Sequence, residues 1–249
     1  MSNFPWFALG PKVNLITLAF LVFLAGIFWA SPKIALAANE PTHGASSGHA
    51  PVNPNSVDSA LKALKEGNAR FAAGQATNPR QSKQLLTKLA KDGQTPLAAV
   101  LACSDSRVPI EKIFDQGFGD LFVIRAAGAV PGVDQVGSIE YAVEHLGTPL
   151  VLVLAHTQCG AVTGAVTGTK AEGALGELLA KLNPVARAVE SLSESNRLDA
   201  AIKMSASLFR EQLILTSKVI GDAVKAGHLK VISGVYDIST GVVEFTERP

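Results

Sequence analysis

Four short apolar runs constrain what this chain can fold into more than any other feature: Pro96 to Ala102, Leu121 to Arg125, Leu150 to Ala155 and Lys230 to Val235. They are rich in Val, Leu and Ile, and none alternates apolar with polar residues as a half-solvated strand does. A strand that is apolar along its whole length is buried on both faces, as happens when helices cover both sides of a parallel sheet. Helical patterns separate the runs: Val133 to Leu146, then a long stretch from Ala174 to Ala226 with breaks at Asn183-Pro184 and at Ser191 to Asn196. This alternation predicts an α/β fold, a single domain with a mostly parallel central sheet flanked by helices and joined by right-handed crossovers. No internal repeat and no second domain is apparent.

Two helices precede the first strand. Ser56 caps one in which Val57, Ala60, Leu61, Leu64 and Phe71 recur at helical spacing as far as Ala72, with Gly67 expected to interrupt it. The second runs from Ser82 to Lys91, carries Leu85, Leu86 and Leu89 on one stripe, and ends at Asp92-Gly93. The 249 residues are 47% hydrophobic and 17% charged, with a formal charge of +1, which describes a globular protein. Nucleic acid is excluded as the main partner by that charge and by the lack of any basic run.

The N-terminus is a separate object. Val13 to Ala30 is almost wholly apolar, follows Lys12, and leads to the small-residue stretch Ala35-Leu36-Ala37. Residues 1–37 therefore read as a secretory signal peptide, or as a membrane anchor through residues 13–30 if uncleaved. Either reading expects export to a periplasm or equivalent extracytoplasmic space, a thylakoid lumen included. Residues 38–55 are rich in Pro, Gly, Ser, Ala and Asn and read as a flexible linker, with His43 and His49 as solvated linker histidines. Residues 56–249 form the folded domain.

The only two cysteines each close an apolar run or follow one closely. Cys103 stands in Ala102-Cys103-Ser104-Asp105-Ser106-Arg107, and Cys159 in His156-Thr157-Gln158-Cys159-Gly160. In an oxidising compartment a Cys103 to Cys159 disulfide is one reading. A metal site is the other, because a structural bridge needs neither an Asp two residues after one cysteine nor a His three before its mate. Soft thiolates with an imidazole suit zinc. The stretch from Cys103 to His156 is too long for a zinc finger, so the fold itself must join the two halves, at the carboxyl ends of strands where α/β sheets bind ligands. If Cys103, His156, Cys159 and Asp105 all bind, zinc is closed. If Asp105 is held away, a position stays open for water. Arg107 is placed to make a bidentate pair with Asp105 that would do so.

The double motif Cys103-Ser104-Asp105-Ser106-Arg107 and His156-x-x-Cys159-Gly160 resembles the signature of the β-class carbonic anhydrases, and the likeness extends from Ser56 to Tyr236-Asp237-Ile238-x-x-Gly241. The resemblance implies that 56–249 is a catalytic domain carrying one zinc per subunit. It would hydrate carbon dioxide reversibly to bicarbonate and a proton through zinc-bound hydroxide. It also implies a homodimer or higher multiple of dimers, with N-terminal helices reaching across the dimer. By the same resemblance Cys103, His156 and Cys159 are the permanent zinc ligands. Asp105 pairs with Arg107 as the catalytic dyad, or becomes a fourth ligand in a closed form. Gln94, Phe122 and Tyr141 match pocket residues of the plant-type branch, and Gly160 joins them as a substrate-binding residue. Val100 stands where members with bicarbonate-triggered closing carry Trp, which implies an open site near neutral pH even though Arg125 and Tyr236 could lie nearby. Hydrolysis of carbon disulfide or carbonyl sulfide on the same fold, and a catalytically silent zinc-binding interaction protein, are the alternatives. His145 and His228 read as surface or helix-end residues, and Gly160, Gly164 and Gly168 as positions of close helix packing.

Overall fold

The computed structural model describes residues 55–246; the expected signal or anchor segment and the linker with His43 and His49 lie outside them. Two helices, α1 (Val57–Ala72) and α2 (Lys83–Asp92), lead into strand β1 (Ala98–Ala102). The chain continues through α3 (Ile110–Ile113), β2 (Leu121–Arg125), α4 (Val133–Glu144), β3 (Leu150–His156) and α5 (Gly160–Val166). Then come α6 (Gly173–Ala180), α7 (Asn183–Ala188), α8 (Glu194–Thr216), α9 (Lys218–Lys225), β4 (Lys230–Tyr236) and β5 (Val243–Thr246). The sheet order is β2-β1-β3-β4-β5, parallel throughout except for the antiparallel pairing of β5 with β4.

The four apolar runs are the four parallel strands. Every residue of β1 and β3 is buried, and successive residues enter different cores. Ala99, Leu101, Val151 and Val153 pack with Ile139 of α4, Ile202 and Phe209 of α8 and Ile220 of α9. Ala98, Val100, Leu152 and Leu154 pack instead with Leu61 and Leu64 of α1 and Ile110 and Phe114. Two covered faces remove the need for alternation, since each fully buried Val or Leu contributes about 1.5–3 kcal/mol on either side. β1 begins two residues later than expected. Pro96 has no N–H to give a ladder, and Leu97 N–H is taken by the Asp120 carbonyl at 2.9 Å.

Three local expectations are corrected. Gly67 does not interrupt α1, which runs unbroken; it is there because a Cβ would stand 1.8 Å from the Phe114 carbonyl oxygen, so only glycine lets α3's end approach. Next to it, buried Asn68 donates to the carbonyls of Ile113 (3.2 Å) and Gly241 (2.9 Å) and accepts from Val243 N–H (2.8 Å), tying α1 to α3 and to β5. The long helical stretch has a further break at Ser217. Its side chain caps α9 by accepting from Ile220 N–H at 3.2 Å and donates to Glu140 Oε1 at 2.6 Å. β5 was not foreseen: Asp237 accepts from Ser239 N–H (2.7 Å), its hydroxyl (2.6 Å) and Thr240 N–H (3.1 Å), folding a turn that returns the chain along β4. Gly241 completes that turn at φ +80°, a backbone conformation side chains disfavour.

The two N-terminal helices differ in what they cover. α1 packs its apolar stripe on its own chain, beside α3, whereas α2 buries none of its residues and leaves Leu86 half exposed.

Candidate metal centre

β1 and β3 are neighbours, with Ala102 level with Leu154, so the residues just past each strand meet at one edge of the sheet. Cys103 follows β1, His156 ends β3, and a two-residue turn brings Cys159 to the start of α5. Gln158 makes that turn with φ +57°. The turn is anchored to β4, Thr157 N–H donating to the Tyr236 carbonyl at 2.9 Å and Thr157 Oγ1 accepting from Ile238 N–H at 3.0 Å. The candidate ligand atoms of Cys103, His156 and Cys159 all lie within 4.8 Å of one another, and the three residues are buried.

The surroundings fit a metal. His156 Nδ1 lies 2.9 Å from the Thr157 carbonyl, which can only accept, so Nδ1 carries the proton and Nε2 presents a lone pair. That Nε2 is buried without a hydrogen-bond partner, a costly arrangement unless something else binds it. A ligating histidine that donates its other nitrogen to a carbonyl is the usual arrangement around a bound metal. Both cysteines are free, so the disulfide reading is not realised. Cys103 Sγ receives the Gly128 N–H at 3.2 Å. A hydrogen bond from Cys159 holds the Cys103 thiol well below its ordinary pKa against the opposing effect of burial, with His156 and the Gly128 amide helping. Cys159 is pushed up as the partner that keeps the proton, with burial adding to the effect, while the Val162 and Ala161 amides pull it down. The two thiols are thus pushed in opposite directions by their closeness, and a bound divalent ion would displace the protons they carry.

Asp105 and Arg107 meet in the predicted bidentate pair. Arg107 Nε donates to Oδ1 at 2.9 Å, Nη2 to Oδ2 at 2.7 Å, and the Arg107 backbone N–H to Oδ1 at 2.9 Å. These bonds, chiefly the guanidinium's, hold the carboxyl far below the usual carboxylate range despite partial burial. Asp105 Oδ2 stands 4.0 Å from His156 Nε2. Arg107 Nη2 also reaches the Gln158 carbonyl at 3.3 Å, linking the two loops that carry the ligands.

The other expected residues fall elsewhere within one chain. Gly160 is exposed directly beside Cys159, with open space where a side chain would be. Gln94 is exposed in the loop before β1, at the opposite end of that strand from Cys103. Phe122 pairs with Ala99 in register, about 13 Å along the strand from the level of Cys103. Tyr141 of α4 packs against it in a tilted contact at 6.1 Å between centroids and against His145 at 5.1 Å, and is 48% exposed. His228 is exposed after α9. A Cβ on Gly164 would meet Thr169 and Leu179 at ordinary contact distances of 3.7 and 3.8 Å, and one on Gly160 or Gly168 would meet nothing near, so close helix packing explains none of the three; Gly168 follows the end of α5 at φ +69°. Val100 is fully buried inside the sheet and Tyr236 is buried beside the turn. The main chain adds contacts around the site that were not anticipated, Gly128 N–H and the Gln158 carbonyl, while Arg125, expected to lie nearby, holds the main chain of the first motif. Only Arg125 carried a signal, as a charge closing an apolar strand run.

The carbonic anhydrase family profile matches residues 98–243. The chain is 38% identical over 193 residues to carbonic anhydrase 2 of Mycobacterium tuberculosis, covering 76% of this chain and 92% of that protein. It is 38% identical over 196 residues to a carbonic anhydrase of Mycolicibacterium smegmatis, covering 77% and 94%. Among solved structures it resembles a tetrameric β-carbonic anhydrase of Sordaria macrospora with a TM-score of 0.61 at 26% identity, over 77% of this chain and 98% of that one. A β-carbonic anhydrase of Coccomyxa, solved with acetazolamide, aligns with a TM-score of 0.59 at 25% identity, over 74% and 83%.

Proposed function

The chain belongs to the β-class carbonic anhydrase family, and from that premise we propose that Cys103, His156 and Cys159 hold one zinc ion per subunit and that the site hydrates carbon dioxide reversibly to bicarbonate and a proton. The observation that carries this is the buried, unpartnered Nε2 of His156 among two thiols, beside a carboxylate already committed to an arginine. Zinc in such a site lowers the pKa of water to about 7 and so supplies a nucleophile at neutral pH. The protein's own groups do the rest. Asp105, kept ionised by Arg107, is too weak a base to take a proton at neutral pH; it serves as a fixed acceptor that orients the attacking water species. Arg107 holds the carboxylate in that role and cross-links the ligand loops. The open space at Gly160 leaves room for a small, linear substrate next to Cys159.

Gln94, Phe122 and Tyr141 stand too far along the sheet to line their own chain's site, so as pocket residues they would serve a second subunit. The exposed ring of Tyr141, the edge strand β2 and the uncovered α2 favour a homodimer or a multiple of it. Val100 leaves no aromatic platform for a bicarbonate-triggered closure, so the site stays open near neutral pH. Residues 1–37 direct the chain out of the cytoplasm, to a periplasm-like space.

Stopped-flow hydration of carbon dioxide tests the central claim. Purified protein is expected to turn over across about pH 7 to 9, to lose activity on chelation and regain it with zinc, and to be inhibited by acetazolamide. Cys159→Ser should abolish zinc retention. Absence of zinc-dependent hydration over that range overturns the assignment, and an active monomer by light scattering overturns the dimer.

A further inference from the structure

One charged side chain outside the ligands and the Asp105 to Arg107 pair grips the main chain of both halves of the first motif. Arg125 is the last residue of β2, level with Ala102. Its Nε donates to the Cys103 carbonyl at 3.0 Å and its Nη2 to the Asp105 carbonyl at 2.6 Å. Around these bonds the two strands continue as a ladder, Ala126 N–H to the Ala102 carbonyl at 3.1 Å and Ser104 N–H to the Ala126 carbonyl at 3.2 Å. The Asp105 carbonyl also accepts from Val108 N–H at 3.0 Å. A single rigid fork therefore spans the residue that supplies a thiolate and the residue whose carboxylate stands nearest His156.

We infer that Arg125 is a positioning residue: by clamping the carbonyls of Cys103 and Asp105 it keeps the Asp105 carboxylate paired with Arg107 and off the metal position, leaving room there for a small ligand. The inference rests on the reading that the cluster holds a metal. Two nitrogen or oxygen ligands of a tetrahedral ion lie about 3.3 Å apart. Asp105 Oδ2, at 4.0 Å from His156 Nε2, is outside that distance by less than about 1 Å. Side-chain pairing with Arg107 does not by itself set this gap: Arg107 is only two residues on in the same loop, and its bond to the other loop, at the Gln158 carbonyl, is 3.3 Å long. Arg125 comes from a different strand and fixes the loop against the sheet. Lysine would not replace it, since an ammonium is a point donor without the fork that reaches both carbonyls.

The test uses the full chain loaded with cobalt(II) and titrated with azide, read by the cobalt absorption spectrum. It also compares Arg125→Ala, Arg125→Lys, Asp105→Ala and the Arg125→Ala/Asp105→Ala double variant at matched metal content. Wild type is expected to respond to azide, and Arg125→Ala to bind it about 10- to 100-fold more weakly, the usual effect of losing a group that orients a metal site. Arg125→Lys should fall between. The double variant should bind azide as Asp105→Ala does, because without the carboxylate nothing moves into the vacated position. Azide binding by Arg125→Ala equal to wild type overturns the inference. So does a weakening that Asp105→Ala fails to relieve, or a wild-type cobalt protein that ignores azide. If Arg125→Ala does not fold, the same decision is read from Arg125→Lys alone and combined with Asp105→Ala. Wild-type protein that binds azide as expected without hydrating carbon dioxide would sink the proposed activity and leave this inference standing. Full hydration with an azide-competent Arg125→Ala would do the reverse.

Discussion

Two arginine–aspartate pairs in this molecule use the same chemistry for different ends. Asp115, just after α3, is buried and accepts from Arg70 Nε (2.6 Å), Thr77 N–H (3.0 Å), Thr77 Oγ1 (2.9 Å) and Asn78 N–H (2.8 Å). All its partners come from the α1 end and the segment after it, so the carboxylate fastens that segment to the domain. Asp105 is bound as closely, but by its own loop, and stands 4.0 Å from the orphaned nitrogen of His156. Both carboxyls are held below the ordinary range. The two pairs differ in what lies next to them, and a depressed carboxyl by itself does not tell a fastening from a working group.

Substitutions can break that comparison from either side. Asp115→Ala should cost about 3 kcal/mol in urea unfolding, the effect of removing one partner of a buried pair and stranding the donors around it, while the folded fraction keeps near-normal turnover. A folded Asp115→Ala protein with the stability of wild type would show the pair to be ornamental. Asp105→Ala should do the opposite: hydration falls about 100-fold, as expected when a nucleophile loses its orienting partner, while the urea midpoint falls less than in Asp115→Ala because the Asp105 to Arg107 pair is partly exposed. If both variants lose stability and activity together, the division between the two pairs fails.

A smaller effect appears on acidification. Burial alone would raise the Asp115 pKa, but Arg70 and the Thr77 and Asn78 amides outweigh it and bring the carboxyl to about 2 from 3.8. A carboxyl depressed in the folded state stabilises above its unfolded pKa, and that contribution is lost as pH falls through the folded one. The stability gap between wild type and Asp115→Ala should therefore narrow between about pH 4 and pH 2, measured by urea midpoints at each pH. A gap that stays constant over that window would mean the charge contributes nothing and the hydrogen-bond geometry everything.

Much of the fold was legible because burial leaves a plain trace in composition. Strands covered on both faces have no solvent side to write in polar residues, so β1, β2, β3 and β4 read as continuous apolar runs. β5 left no such trace: it is four residues long, at the sheet's edge, with Glu244 exposed between Val243 and Phe245. Its existence depends on a turn built by one aspartate side chain. Gly67 was misread because a glycine looks the same whether it breaks a helix or admits a neighbour. Only the position of the Phe114 carbonyl tells the two apart.

The site divides in the same way. Cys103, Asp105, Arg107, His156 and Cys159 announce themselves because donor type and local spacing are properties of the chain, and strand ends bring such residues together in any parallel α/β sheet. Whether Asp105 faces Arg107 or the Cys103, His156 and Cys159 cluster, that Arg125 grips the loop from the next strand, and that Gln94, Phe122 and Tyr141 lie along the sheet from their own chain's cluster are tertiary facts. They depend on register and on separations of a few ångströms between residues distant in sequence. By itself, then, the sequence determined the kind of sheet, the candidate ligands and the chemistry that such donors favour. The three-dimensional fold alone decided which of those groups touch, because hydrogen bonding and coordination weaken steeply with distance and sequence does not record distance.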